Sequence, residues 1–118
     1  MNRDFLEQNG IDVAQGLELL GDMDMYNETV LDFLEEQKTR IPALKEYEEK
    51  GDCENYAILA HAMKSDSKYL GLTKLIEIAY THELKGKEKD IAYIHDNFVA
   101  FMEEANRVGN VLQEYINA

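Results

Sequence analysis

Residues 87–116, KEKDIAYIHDNFVAFMEEANRVGNVLQEYI, decide the fold: apolar side chains recur at Ile91, Ile94, Phe98, Phe101, Ala105, Val108, Leu112 and Ile116, in steps of three and four. Such steps keep one face of a helix apolar, whereas a strand would need strict alternation. The spacing predicts one long helix from about Lys87 to Ile116. Working backwards, Gly86 ends a helix that starts near Thr73, and Gly71 ends another, reaching Leu70, that Asp52 caps. Before it, a segment starting after Asp22 or Asp24 and closing at Gly51 carries Tyr26, Val30, Phe33, Gln37, Leu44 and Tyr47 on one stripe. Pro42 lacks an amide hydrogen and clashes with the preceding turn, so a kink or break is expected near Ile41. A short helix over Asp12 to Leu20, with Asp12 as cap and Gln15 three residues on, is expected to turn Ala14 and Leu17 inward and to stop at Gly21. Four long helices joined by loops of a few residues must be antiparallel neighbours. The expected fold is all-α: an antiparallel up-down four-helix bundle with a short additional N-terminal helix, one domain over residues 1–118.

Composition agrees. The chain has 118 residues, 45% of them apolar, with one Pro and seven Gly, too few turn formers for a barrel or sandwich of short strands. Its net charge of -12 repels phosphate backbones and anionic lipid, so neither nucleic acid nor a membrane is an expected partner. One cysteine, Cys53, permits neither an internal disulfide nor a structural zinc site. Met1-Asn2-Arg3-Asp4 lacks the basic segment and apolar run of a signal peptide, and no apolar run approaches the roughly 20 residues that span a bilayer. The expectation is a cytoplasmic monomer.

Ligand spacings exclude the metal sites that acidic bundles often hold. A di-iron bundle uses Glu-x-x-His, but Ile58, Ala79 and Ala92 stand three residues before the histidines. The run Asp22-Met23-Asp24-Met25-Tyr26-Asn27 opens like a calcium loop, yet Asn27 replaces its glycine and Phe33 its closing glutamate. No phosphate loop, nucleophile elbow or zinc-peptidase motif occurs, and no cofactor is expected.

The helix beginning at Asp52 holds the informative face. At 100° per residue, Tyr56, Leu59, Ala60, Met63, Ser67 and Leu70 form the inward stripe. His61 then stands about 140° from Tyr56, Lys68 about 120°, Ser65 about 180° and Lys64 about 80°, at the stripe's edge. His61 therefore points outward. Ala57 lies one turn before it and Ser65 one turn after, both small, and Ile58 is an apolar residue the core cannot use. Small neighbours let another protein approach the ring, and Ile58 offers it apolar surface to cover. From His61 to Lys74 three lysines face only Asp66, a local excess of positive charge in an acidic chain. A solvated imidazole, with a reference pKa near 6.5, is mostly neutral at pH 7 and therefore nucleophilic. The same pattern also suits an idle solvated face. His82, Tyr69 and Tyr80 are expected to be packing residues, with His82 at the core edge; His95, beside the Ile91 and Phe98 stripe, and the Cys53 thiol are expected to be idle.

The run Leu59-Ala60-His61-Ala62-Met63-Lys64-Ser65-Asp66-Ser67-Lys68-Tyr69-Leu70-Gly71 resembles the signature of histidine-containing phosphotransfer domains, a His-x-Leu-Lys-Gly core with a glycine ten residues after the histidine. The likeness extends over about residues 10 to 110, with Ile11 to Asp22 like the family's short first helix and Glu83 like an acidic residue late in its next helix. What the resemblance implies is a carrier that takes a phosphoryl group from a receiver-domain aspartate and hands it to another receiver. The receiver would supply Mg²⁺ and the acidic pocket. By position, His61 is the acceptor, Lys64 lies beside the phosphoryl group, and Ser65 is the small residue under the incoming domain; helix spacing alone adds Lys68, seven residues after His61, as a second cation that can meet negative charge on the ring. Ala57, Ile58, Ala62 and Gly71 form the partner face, Gly71 standing where a helix end passes too closely for a side chain. The implied partners are response-regulator receiver domains and a hybrid sensor histidine kinase. Ser65 departs from the family's glycine, Met63 from its leucine and His82 from its usual leucine. With no ATP-binding module, a phosphoryl carrier rather than an autonomous kinase is implied. The alternative is a non-catalytic helical module that docks a receiver without passing phosphate; it would need Ile58 but not His61.

Overall fold

Four aspartates and two left-handed glycines set most of the helix boundaries. The computed structural model describes residues 1–118 as six helices and no strand: α1 (Arg3–Gln8), α2 (Val13–Leu20), α3 (Met23–Lys50), α4 (Cys53–Leu70), α5 (Thr73–Lys87) and α6 (Ile91–Asn117). Asp12, Asp22, Asp52 and Asp90 each accept the backbone N–H three residues on, from Gln15, Met25, Asn55 and Tyr93, satisfying one free donor at each start. Gly51 and Gly71 close α3 and α4 in the left-handed conformation. No helix is long and apolar enough to cross a membrane.

Three boundaries differ from expectation. Pro42 lies inside α3, which runs unbroken from Met23 to Lys50. The proline is exposed, so the carbonyl it leaves unpaired can turn to water, while Arg40 and Leu44 on either side are buried and hold the segment in place. Gly86 does not end α5, and α6 begins at Ile91 rather than Lys87, because Lys89 adopts φ 58° in the connection and Asp90 caps the new helix. A six-residue helix, α1, capped by Asn2, precedes the expected short helix and buries Leu6 completely. On α2 the inward residues are Val13 and Gly16; Ala14 is exposed and Leu17 half-buried.

One apolar core of 21 residues draws on all six helices, and the radius of gyration of 14.2 Å is near the roughly 13.5 Å expected of a compact chain this long. The α3 stripe is buried from Tyr26 to Leu44, and on α4 every residue of the expected stripe except half-buried Leu59 is inside. On α6, Ile94, Phe101, Ala105, Val108 and Leu112 are buried, whereas Ile91 is exposed. Cross-helix contacts fix the register. Tyr26 on α3 donates to the Leu70 carbonyl on α4 at 2.7 Å, and Arg40 pairs with Asp66 at 2.7 Å.

His82 is buried, hydrogen-bonded to the Tyr56 hydroxyl at 2.7 Å and packed against the Phe101 and Tyr93 rings. Burial pushes its pKa down to about 4. The unfolded chain takes up a proton at this residue near pH 6.5 and the folded chain only near pH 4, so protonation favours unfolding. The stabilising contribution is complete above about pH 6.5 and falls by up to about 1.4 kcal/mol per pH unit below it, about 3 kcal/mol in all by pH 4. Urea unfolding between pH 7 and 5 should show this slope, and His82→Gln should flatten it. An equal slope in the variant would assign the acid sensitivity elsewhere.

Candidate functional site

The site exists because α4 and α5 approach closely. Gly86 lies against Ala57: a Cβ on Gly86 would stand 2.9 Å from the Ala57 Cβ and 3.1 Å from the Cys53 carbonyl oxygen. Two small residues facing each other let the helix axes close up, and three residues before Gly86 this brings Glu83 under His61. The Glu83 side chain is 3% exposed, and three donors converge on it. His61 Nδ1 lies 2.9 Å and Lys87 Nζ 2.9 Å from Oε2, while Lys64 Nζ lies 2.7 Å from Oε1.

Burial alone would push the Glu83 carboxyl up, but hydrogen bonds from Lys64, Lys87 and His61 outweigh it and hold the group down at about 2. An ionised carboxylate can only accept, so the hydrogen in the His61 contact belongs to Nδ1. In the neutral ring, Nε2 therefore carries the free lone pair. The imidazole remains 57% exposed, and with Ile58, Lys87 and Lys89 it lines an open groove of ≈ 580 Å³ between α4 and α5. The result is an oriented nitrogen with a free lone pair in a partly apolar groove whose two lysines, Lys87 and Lys89, offset its two glutamates, Glu54 and Glu83.

His95 makes a superficially similar pair, its Nδ1 lying 2.8 Å from Glu48 Oε1. The difference is electrostatic. The hydrogen bond and charge of Glu48 raise the His95 pKa, with Asp96 adding to the effect, and no lysine is salt-bridged to Glu48. That setting favours the protonated ring, which is not nucleophilic, and disfavours an incoming phosphoryl group.

The expected site residues divide as follows. His61 and Ile58 are exposed on the groove, and Ser65 and Ala62 are half-buried, Ala62 on the side facing α3. Ala57 is not outward: it is 5% exposed, on the groove floor beneath Gly86, because the helix–helix contact takes the face that the spacing had left to a partner. Gly71 is also no partner contact, being buried against the Asp12 backbone. Lys64 has a side chain only 12% exposed, held by Glu83 and lying 4.7 Å above the Tyr80 ring. Lys68 is exposed and makes no polar contact with His61 or Glu83, so the second cation at the histidine is Lys87. Tyr69 and Tyr80 are exposed rather than packed inside.

Nothing on the histidine helix itself points to Lys87 or Lys89, which lie at the end of α5 and in the α5–α6 connection. The available cues were the i,i+4 pairing of Glu83 with Lys87 and the small Gly86 between them. Set against known protein-family models, curated proteins and solved structures, the chain matches none of them.

Proposed function

We propose that the chain is a histidine phosphotransfer protein of a multistep phosphorelay, taking a phosphoryl group from a receiver-domain aspartate on His61 and passing it to another receiver. The observation that carries this reading is the His61–Glu83 contact, which leaves Nε2 as the free, solvent-facing nucleophile. In the reaction the Nε2 lone pair attacks phosphorus, the P–O bond to the aspartate breaks, and its electron pair returns to the carboxylate. The Nδ1 hydrogen stays on the ring, and Glu83 balances the imidazolium that results. An aspartyl phosphate is already activated, so orientation and charge balance are the main demands on the carrier. In this reading α3–α6 form an antiparallel up-down four-helix bundle extended by α1 and α2. The connections of two or three residues and the pairings of Tyr26 with Leu70, His61 with Glu83 and Ala57 with Gly86 support it. The expected partners are receiver domains and a hybrid sensor kinase acting on a monomeric, cytoplasmic carrier.

The decisive experiment incubates the protein with phosphorylated receivers and maps the label by mass spectrometry under alkaline conditions, because phosphohistidine is acid-labile. Label on His61 is expected. Stable receiver binding with no label would favour the docking module that Ile58, 59% exposed beside the ring, also suits.

Ser65 tests the approach of the receiver. It lies one helical turn beyond His61 and is half-buried, so its size matters more than its hydroxyl. Ser65→Ala should keep most transfer, whereas Ser65→Leu should reduce it by about tenfold or more with helical content intact, roughly 1.4 kcal/mol. Equal losses in both variants would assign chemistry to the hydroxyl.

A further inference from the structure

Three donors share one buried carboxylate at His61, and they are not equally free to move. Lys64 is enclosed, its ammonium bonded to Glu83 Oε1 at 2.7 Å and lying over Tyr80, with the side chain 12% exposed. Lys87 shares Oε2 with His61, and its side chain is 63% exposed. Phosphorylation at Nε2 changes the balance on that shared oxygen. With the Nδ1 hydrogen retained, the ring becomes an imidazolium and strengthens its hold on Oε2, while up to two negative charges appear on the phosphoryl oxygens at the ring's other edge. The loosely held cation on the same oxygen then gains more by moving to the new anion.

We propose that Lys87 is the mobile cation of the site, leaving Glu83 for the phosphoryl group once His61 is modified, and that Lys64 stays on Glu83 as a positioning residue. This rests on the phosphotransfer reading and deepens it, because it moves the phosphoryl-balancing role from the histidine helix to the end of α5. The charged groups facing the phosphoryl position are Glu54, Glu83, Lys87 and Lys89 in the groove and Lys64 beside it. Lys89 points into the same groove from the α5–α6 connection but bonds to none of these groups, so it is the comparison cation.

The test does not require a receiver. Phosphoramidate loads an exposed imidazole directly: the bond from Nε2 to phosphorus forms, the P–N bond of the donor breaks, and ammonia leaves with the electron pair. With His95→Gln in every variant, so that His61 is the exposed imidazole that is loaded, ³¹P NMR follows the second ionisation of the phosphoryl group against pH. A cation in contact with that group favours the dianion and lowers its pKa. Lys87→Ala should therefore raise the phosphoryl pKa by about half a unit, with Lys87→Arg restoring it, while Lys64→Gln and Lys89→Ala shift it less. A merely structural lysine would leave this titration where it was. No shift in Lys87→Ala, or a larger one in Lys64→Gln or Lys89→Ala, overturns the assignment. Failure of receivers to label His61 would instead remove the phosphotransfer reading, and the ³¹P titration distinguishes the two results because it is loaded chemically.

Discussion

His61→Gln should abolish phosphoryl uptake from every receiver that labels the wild-type protein, a loss of at least about 1000-fold, or roughly 4 kcal/mol of transition-state stabilisation. The loss should be complete because the other histidines cannot take over. His82 is buried, its Nδ1 engaged by Tyr56 and its ring enclosed by Phe101 and Tyr93, so phosphorus cannot reach it. His95 is exposed but paired with Glu48, away from the lysines that would offset phosphoryl charge. Because the His61 side chain is 57% exposed and its one polar contact is Glu83, glutamine in its place should leave thermal unfolding within about 1 kcal/mol of wild type. Residual label in His61→Gln, traced to His95, would move the acceptor to α6. Loss of helical circular dichroism would show instead that the residue holds the fold.

Much of this site depends on which helix covers which, and that is where the sequence was hardest to read. Four helix ends were legible because their determinants are local: Asp12 and Asp52 cap, and Gly51 and Gly71 terminate, within a few residues of the boundary they set, whereas α6 starts four residues beyond the expected Lys87 although Asp90 is as local a cap. The stripes on α3 and α4 were legible for the same reason, as three- and four-residue steps name the buried face without reference to a neighbour. Ala57 was not, because its burial is decided by Gly86, nearly thirty residues away. Read locally, Gly86 resembles a helix stop, yet its work is to let α5 approach α4. Lys87 was missed with it. Once α5 runs through Gly86, the i+4 step from Glu83 sets Lys87 on the same carboxylate as His61, a contact that no inspection of the histidine helix alone could supply. Helix α1 was missed for another reason: six residues hold too few apolar steps to distinguish a short helix from a loop.

Gly71→Ala should cost about 4 kcal/mol, because two penalties coincide there. The residue adopts φ 73°, ψ 32°, a left-handed conformation that costs alanine about 1 kcal/mol. The larger part is steric. A Cβ at this position would overlap the Asp12 carbonyl oxygen, a backbone atom that cannot rotate away. Asp12 cannot retreat freely either, since its N–H donates to the Gly71 carbonyl at 2.8 Å and its carboxylate caps α2 through Gln15. Gly51→Ala separates the two penalties. Gly51 is also left-handed, at φ 68°, but a Cβ there meets nothing closer than Ile91 Cδ1 at 3.7 Å, so only the backbone cost of about 1 kcal/mol should appear. Urea midpoints for both variants, with the wild-type m-value as a check on two-state behaviour, give the comparison. Similar losses at the two glycines would mean that the close passage of Asp12 relaxes at little cost. A loss at Gly71 about 3 kcal/mol greater than at Gly51 would show that the joint between α2 and the end of α4 requires a residue without a side chain.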